Sequence, residues 1–142
     1  KELSLIGPST RRWVPEIMKE NDPEDISYYP YMNGQFVFKN AVVRFTQVIN
    51  AGLEKVGWKP NEIDKLIPHQ ANLRIAQFVQ KKFGLGDNQV YNNIQRYGNT
   101  TAASIPIALT EAWEQGKINP GSKVVLAAFG SGFTWGSIMI QW

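Results

Sequence analysis

Hydrophobic positions recur at helical spacing in three stretches of the chain. The first covers residues 38–56 and stops at Gly57, and the second covers residues 75–83 and stops at Gly84. A glycine directly after an apolar stripe is typical of a helix C-terminus. A third stripe covers residues 105–112, so we predict three amphipathic helices. Their apolar positions are Phe38, Val42, Phe45, Ile49, Leu53 and Val56; Ile75, Phe78, Val79 and Phe83; and Ile105, Ala108, Leu109 and Ala112.

Short apolar runs without helical spacing alternate with these helices. They cover residues 65–68, 90–91, 123–129 and 134–142, and their length and composition favour buried strands. Strands that alternate with helices usually lie parallel in an α/β structure. The last two runs are separated only by a short glycine-rich turn, which favours an antiparallel pair. We therefore predict a mostly parallel sheet with flanking helices and an antiparallel C-terminal strand pair.

The first part of the chain differs from the rest in composition. Residues 1–37 are rich in proline, tyrosine and acidic groups, and the prolines are too closely spaced for a long regular element. We predict a connecting arm, partly irregular, over 1–37 and one α/β domain over 38–142. With 43% hydrophobic and 19% charged residues among 142, the chain is typical of a globular protein with a single core.

Composition narrows the chemistry that this chain can perform alone. It has no cysteine, which excludes disulfides, thiolate metal sites and a cysteine nucleophile, and its single histidine argues against a histidine-built metal site. A net charge of +3 is too small to indicate nucleic-acid binding. No apolar run approaches the roughly 20 residues that cross a bilayer, and the start of the chain does not resemble a secretory signal. We expect a cytoplasmic protein without membrane contact.

Polar residues follow the predicted strands at three places where functional groups of α/β proteins gather. The His69 junction, residues 68–72, carries the only histidine between a strand and a helix. The Asn99 junction, residues 98–104, pairs a glycine with polar residues suited to capping the next helix. A lone histidine is more often structural, and capping alone explains most of the Asn99 junction. The alternative is a donor pair, imidazole and amide, beside a developing oxyanion.

The third place is the glycine turn, Gly130-Ser131-Gly132, between the last two strands. Its backbone N–H groups can approach a ligand closely, as an oxyanion hole requires, although a plain hairpin connection explains it equally well. The spacing fits neither the dinucleotide fingerprint, the Gly-x-Ser-x-Gly elbow nor a phosphate-binding loop.

Three segments together resemble the 3-oxoacyl-[acyl-carrier-protein] synthase III family of the thiolase superfamily. They are residues 67–75 (IPHQANLRI), 97–106 (YGNTTAASIP) and 129–136 (FGSGFTWG), and residues 32–39 (MNGQFVFK) add a weaker match. The resemblance implies two similar α/β halves stacked in a five-layered α-β-α-β-α fold, usually as a homodimer. This chain resembles only the second half, so a missing N-terminal half would supply the family's active-site cysteine.

The resemblance also implies an activity and roles for individual residues. His69 and Asn99 would be two members of a Cys-His-Asn triad, and the backbone N–H of Ser131 would belong to the oxyanion hole. The complete enzyme would join an acyl group from acyl-CoA to malonyl-acyl carrier protein with loss of CO2 and so initiate fatty acid synthesis. No cofactor beyond these substrates is expected, and the chain alone should be inactive.

Two binding surfaces are implied as well. Residues that would line the channel for the coenzyme A arm are Asn72, Met32, Gly34 and Phe38. Basic residues that would receive the carrier protein are Arg74, Lys39, Lys81 and Lys82, although such residues on helices are often simply solvated. Two alternatives stay open: a non-catalytic subunit that binds acyl-CoA or carrier protein, and a related synthase that primes polyketide or quinolone pathways.

Overall fold

The computed structural model describes residues 3–4 and 31–142 of the chain. The chain divides into two compact units, Lys1–Lys39 and Asn40–Trp142. In the first unit, β1 (Leu3–Ser4) pairs antiparallel with β2 (Tyr31–Met32). The irregular arm predicted for 1–37 falls largely outside the described residues. That arm and the predicted boundary at residue 38 stay predictions.

The long helix α1 covers Gly34–Val56 and so begins four residues before the predicted stripe. Asn33 explains the earlier start: its side-chain oxygen accepts the N–H of Phe36 at 3.2 Å, as an N-terminal cap does. The stripe itself faces the core through Val42, Phe45 and neighbouring apolar residues, whereas Val56 at its end is 43% exposed. The capping side chain allows the helix to begin before the first apolar residue of the stripe.

The second unit contains a three-stranded sheet in the order β3-β4-β5. The strands are β3 (Lys65–Pro68), β4 (Lys123–Gly130) and β5 (Thr134–Gln141). β3 pairs parallel with β4, and β4 pairs antiparallel with β5, as predicted. The strand predicted at 90–91 is reduced to a single parallel bridge between Val90 and Leu66. Only Val90 pairs with the sheet, so no ladder forms at this position.

Three helices connect and cover the strands: α2 (Leu73–Phe83), α3 (Ile94–Tyr97) and α4 (Ser104–Glu114). α2 ends at Gly84, whose backbone φ of +65° favours glycine and terminates the helix. Its buried residues are Ala76 and Val79. Phe78, one of the apolar positions of the predicted stripe, is 44% exposed.

The core of the second unit lies between α4 and the sheet. Ala108 and Ala112 of α4 are fully buried against residues of β3 and β4, and the small side chains allow the helix to approach the strands closely. The cluster comprises Ile67, Tyr91, Ala108, Ala112, Ile118, Val124 and Leu126. Packing of α4 in this way brings its first residue to the end of β3. None of the described helices is long and apolar enough to cross a membrane.

Candidate active site

His69 lies directly after β3, at the carboxyl end of the sheet. Its backbone N–H donates to the carbonyl of Ala127 at 2.8 Å, which continues the pairing of β3 with β4. The ring is half-buried, and its Nδ1 lies 2.6 Å from the hydroxyl oxygen of Ser104. Burial lowers the pKa of His69 below its ordinary value of 6.5, because desolvation disfavours the charged imidazolium. The ring is therefore held neutral and in one orientation.

Ser104 connects the His69 junction to the Asn99 junction. It is the first residue of α4 and is only 2% exposed. Besides facing His69, its hydroxyl oxygen accepts the backbone N–H of Gln70 at 3.2 Å. The polar residues of this junction are suited to capping the next helix, but the residue that precedes α4 is Ala103 and no side chain caps the helix. The hydroxyl of Ser104 therefore bonds to His69 and does not cap α4.

Gln70 is a second buried polar residue that sequence reasoning did not single out. Its Nε2 donates to the carbonyls of Pro68 at 2.7 Å and Tyr91 at 3.4 Å. Its Oε1 accepts the backbone N–H groups of Asn93 at 3.0 Å and Ile94 at 3.2 Å. With 3% of its surface exposed, this side chain satisfies its hydrogen bonds entirely within the protein. It joins the end of β3 to the start of α3, the element that precedes Asn99.

Asn99 lies between α3 and a short 3-10 turn over Thr101–Ala103. Its Oδ1 accepts the backbone N–H of Thr101 at 2.9 Å, and this contact supports the positive φ of +52° at Thr101. The acceptor side of the amide is therefore used locally. The Nδ2 group has no partner among the described residues, and the side chain is exposed. Asn99 is thus arranged as an outward hydrogen-bond donor.

Glu111 of α4 holds α3, the short helix ahead of Asn99, in place. Its carboxylate accepts hydrogen bonds from Asn93 Nδ2 at 2.7 Å and from the Tyr97 hydroxyl at 2.6 Å. The guanidinium of Arg96 pairs with the same carboxylate at 2.7 Å. These donors, led by Asn93 and Tyr97, lower the pKa of Glu111 because they stabilise its charged form. We call these four residues the Glu111 cluster.

The glycine turn connects β4 to β5 as a hairpin. Gly132 has a φ of +140°, and a Cβ there would lie 2.9 Å from a methyl carbon of Thr134, so glycine is required. The hydroxyl of Thr134 donates to the carbonyl of Ser131 at 3.1 Å. Within residues 31–142, no acceptor contacts the N–H of Ser131, and its side chain is exposed. The glycine turn is therefore a hairpin connection and also leaves the backbone N–H of Ser131 available as a donor.

The fold brings the His69 and Asn99 junctions together through Ser104 and Gln70. Ser131 follows β4, whose carboxyl end lies at the same edge of the sheet because β3 and β4 are parallel. Asn72 caps α2 by accepting the N–H of Arg74 at 2.9 Å. The proposed channel and carrier-protein roles of the remaining residues stay predictions. On α2, Arg74, Lys81 and Lys82 are exposed, whereas Met32, Gly34, Phe38 and Lys39 lie in the first unit.

The part of the chain that the structure describes contains no group of histidine and carboxylate side chains able to hold a metal ion.

A family model described as the C terminal of 3-oxoacyl-[acyl-carrier-protein] synthase III matches residues 53–142. The chain belongs to the synthase III C-terminal family. This confirms the resemblance carried by the His69 and Asn99 junctions and the glycine turn.

Relatives of the synthase III family match this chain along much of its length. The beta-ketoacyl-[acyl-carrier-protein] synthase III of Desulfotalea psychrophila is 51% identical over 112 residues, which are 79% of this chain and 35% of the relative. That of Nitratidesulfovibrio vulgaris is 46% identical over 140 residues, 99% of this chain and 41% of the relative. The chain thus spans between about a third and two fifths of the length of these relatives.

Solved synthase III structures share its fold. That of Thermus thermophilus has a TM-score of 0.78 and 44% identity, over 80% of this chain and 36% of the solved chain. That of Aquifex aeolicus has a TM-score of 0.79 and 44% identity, over 83% of this chain and 38% of the solved chain. The predicted fold class, one α/β half of a thiolase-like structure, is therefore confirmed.

Proposed function

We propose that this chain supplies the second half of the active site of a condensing enzyme. The observation that carries the proposal is that His69 and Asn99 each use one polar side-chain atom within the protein and keep one nitrogen without a partner among the described residues. His69 directs Nδ1 to Ser104, and Asn99 directs Oδ1 to Thr101. Among the described residues, the remaining nitrogens, His69 Nε2 and Asn99 Nδ2, have no partner. Two neutral donors of this kind suit stabilisation of an oxyanion.

In the first proposed stage, an acyl group moves from coenzyme A to a cysteine. The cysteine belongs to the missing N-terminal half, because this chain contains none. Its thiolate attacks the thioester carbonyl, and the thiolate of coenzyme A leaves. The backbone N–H of Ser131 stabilises the tetrahedral oxyanion, since it is free of other acceptors in the described residues. The exposed serine side chain leaves that backbone group accessible.

In the second proposed stage, malonyl-acyl carrier protein loses CO2. The bond to the carboxylate breaks, and its electron pair is delocalised onto the thioester oxygen as an enolate. Nε2–H of His69 and Nδ2–H of Asn99 donate to that oxygen and so lower the barrier. The carbanion then attacks the acylated cysteine, a carbon–carbon bond forms, and the cysteine thiolate leaves. Each donor contributes about 3 to 4 kcal/mol of transition-state stabilisation, as single oxyanion donors do.

The proposal includes the partners of the complete enzyme. Exposed Arg74, Lys81 and Lys82 on α2, together with Lys39, receive the acidic carrier protein through charge attraction. Asn72, Met32, Gly34 and Phe38 contact the coenzyme A arm. We expect a cytoplasmic homodimer that needs no cofactor besides its substrates, acyl-CoA and malonyl-acyl carrier protein. The reaction would initiate fatty acid synthesis.

The direct test uses the full-length protein with acyl-CoA and malonyl-acyl carrier protein. We expect equal amounts of CO2 and 3-oxoacyl-carrier protein, and an acyl-enzyme visible by mass spectrometry. His69→Ala should reduce the condensation rate about a hundredfold to a thousandfold, because it removes one oxyanion donor. Unchanged turnover in this variant would refute the assigned role of His69. Binding of acyl-CoA without any acyl-enzyme would favour the non-catalytic subunit.

A further inference from the structure

The hydroxyl of Ser104 is placed where it can control the proton of the His69 ring. Its oxygen lies 2.6 Å from His69 Nδ1 and 3.2 Å from the backbone nitrogen of Gln70. Ser104 is 2% exposed, so water has little access to compete for these bonds. A neutral imidazole carries its proton on either nitrogen, and the hydrogen bond to one nitrogen decides which. Ser104 therefore bears on the choice between the two tautomers.

The number of available protons determines the direction of the Ser104–His69 hydrogen bond. The backbone N–H of Gln70 can only donate, so Ser104 must accept there. The hydroxyl has one proton, and His69 Nδ1 is its only acceptor among the described residues. If Nδ1 carried the ring proton, Ser104 would accept two hydrogen bonds and leave its own proton buried without a partner. That arrangement is costly, since an unsatisfied buried donor destabilises a protein by about 1 to 3 kcal/mol.

We propose that Ser104 is a positioning residue that holds His69 in the tautomer with its proton on Nε2. This inference rests on the proposed function, in which Nε2–H donates to the enolate oxygen of the malonyl thioester. Ser104 itself does not touch the substrate; it acts through the ring. Donation then runs from Gln70 N–H to Ser104, from Ser104 O–H to Nδ1, and from Nε2–H to the substrate oxygen.

Gln70 keeps this chain of donors aligned. Its side chain bonds to the carbonyl of Pro68 within the His69 junction and to the N–H groups of Asn93 and Ile94 at the start of α3, which ties the junction to α3. The backbone N–H of Gln70 is thereby kept directed at Ser104. The position of Ser104 is fixed separately, because Ala108 and Ala112 pack α4 against the sheet. Neither the hydroxyl nor the ring can rotate away without breaking a buried hydrogen bond.

The test compares Ser104→Ala and Ser104→Thr with Ser122→Ala in the full-length protein. Ser122 is a matched control: its hydroxyl also accepts a backbone N–H, that of Asn119, at 3.0 Å. We expect Ser104→Ala to lower kcat for decarboxylation of malonyl-acyl carrier protein about tenfold to a hundredfold, the loss found when a residue that orients a metal-binding histidine is removed. KM should change little, because Ser104 makes no substrate contact. Ser104→Thr retains the hydroxyl and should restore most of the rate, and Ser122→Ala should match the parent protein.

Nitrogen-15 NMR of histidine-labelled full-length protein reads the tautomer directly and needs no turnover. The His69 resonances are assigned by their loss in His69→Ala. In the parent protein we expect a proton-bearing Nε2 and a bare Nδ1, and in Ser104→Ala a mixture of both tautomers. A proton on Nδ1 in the parent protein would overturn the inference even if Ser104→Ala does not fold. Equal rates for Ser104→Ala and Ser122→Ala would overturn it too, whereas an active His69→Ala would refute the proposed function instead.

Discussion

His69 combines a half-buried ring with one nitrogen directed to Ser104 and one without a partner. Burial lowers its pKa below 6.5, so the neutral ring persists to more acidic pH than in an exposed histidine. This environment preserves an uncharged N–H donor across the neutral range. In the proposed reaction, such a donor stabilises the enolate without a change in protonation state.

The pH dependence of His69 follows from this lowered pKa. We expect the ring to titrate with a midpoint below 6.5 in the full-length protein, followed by the histidine NMR signals. Because the unfolded chain binds the proton more readily, the free energy of unfolding should rise with pH between the lowered pKa and 6.5 and level off above that. A midpoint at or above 6.5 would contradict the buried, neutral ring.

Asn99 offers a sharper substitution than alanine alone. Asn99→Asp keeps an oxygen to accept the Thr101 N–H and replaces the donor Nδ2 with a second acceptor. We expect both Asn99→Asp and Asn99→Ala to slow decarboxylation about a hundredfold to a thousandfold, since each removes one oxyanion donor. A time course of CO2 release from quenched samples of the full-length protein gives the rate.

Asn119→Ala serves as the control for the Asn99 substitutions. Asn119 is also exposed and also bonds to nearby backbone, through Nδ2 to the carbonyl of Gly116 at 3.3 Å. Its rate should equal that of the parent protein. If Asn99→Asp retained full activity, the amide would not be a donor in the reaction, and a purely structural role in the turn before Thr101 would remain.

At the residue scale, the sequence places His69 correctly after its predicted strand, whereas Asn99 follows the short helix α3 and not the strand predicted at 90–91. The sequence does not reveal the contacts that support either residue. From the sequence, Ser104 is a candidate N-cap, because serine near the start of a helix often caps it. Its partner, His69, lies 35 positions earlier, and only the packing of α4 against β3 brings the two together. Gln70 lies within the His69 junction. Its position as a polar residue between a buried strand and a helix is the sequence feature that could have identified it.

The Glu111 cluster connects α3 to α4. Because one carboxylate collects bonds from Asn93, Arg96 and Tyr97, it fixes the short α3 that precedes Asn99. A helix of four residues has little stability of its own and depends on such contacts. The position of Asn99 therefore depends on the charge state of Glu111.

Acid should loosen this connection. Hydrogen bonds from Asn93 and Tyr97 lower the pKa of Glu111 below 4.5, so its contribution to stability is fully present above 4.5 and is lost as pH falls through the lowered pKa. We expect Glu111→Gln to be less stable than the parent full-length protein at neutral pH, with a difference that shrinks in acid. Urea unfolding at several pH values measures this. A difference that stays constant with pH would contradict the cluster's charged state.

At the element scale, hydrophobic pattern predicts the regular structure well and its ends less well. The bounds of β3 agree with the predicted run, because a four-residue buried strand leaves few alternatives. The start of α1 differs because the Asn33 side chain caps a first turn that carries no apolar stripe. The run at Val90 has strand composition, but only one bridge to Leu66 forms. Helix caps and strand pairing depend on contacts that the spacing of apolar residues does not predict.

At the scale of the whole molecule, the chain spans between about a third and two fifths of the length of its relatives, and in our proposal it carries only part of the active site. Trp135 and Ile138 of β5 are 43% and 59% exposed, and Ile138 lines a cavity of about 280 Å³ together with Ile105 and Leu126. The family motifs predict the fold and the place of the site because they include the residues at the strand ends. They do not include the cysteine, which the proposal assigns to the missing N-terminal half.

The most direct measurement compares this chain alone with the full-length protein in the same condensation assay. Both are incubated with acyl-CoA and malonyl-acyl carrier protein, and the formation of 3-oxoacyl-carrier protein is followed by mass spectrometry. We predict product with the full-length protein and none with residues 1–142 alone, because the donors His69 and Asn99 lack a nucleophile in this chain. Turnover by the isolated chain, or none by the full-length protein, would contradict the account.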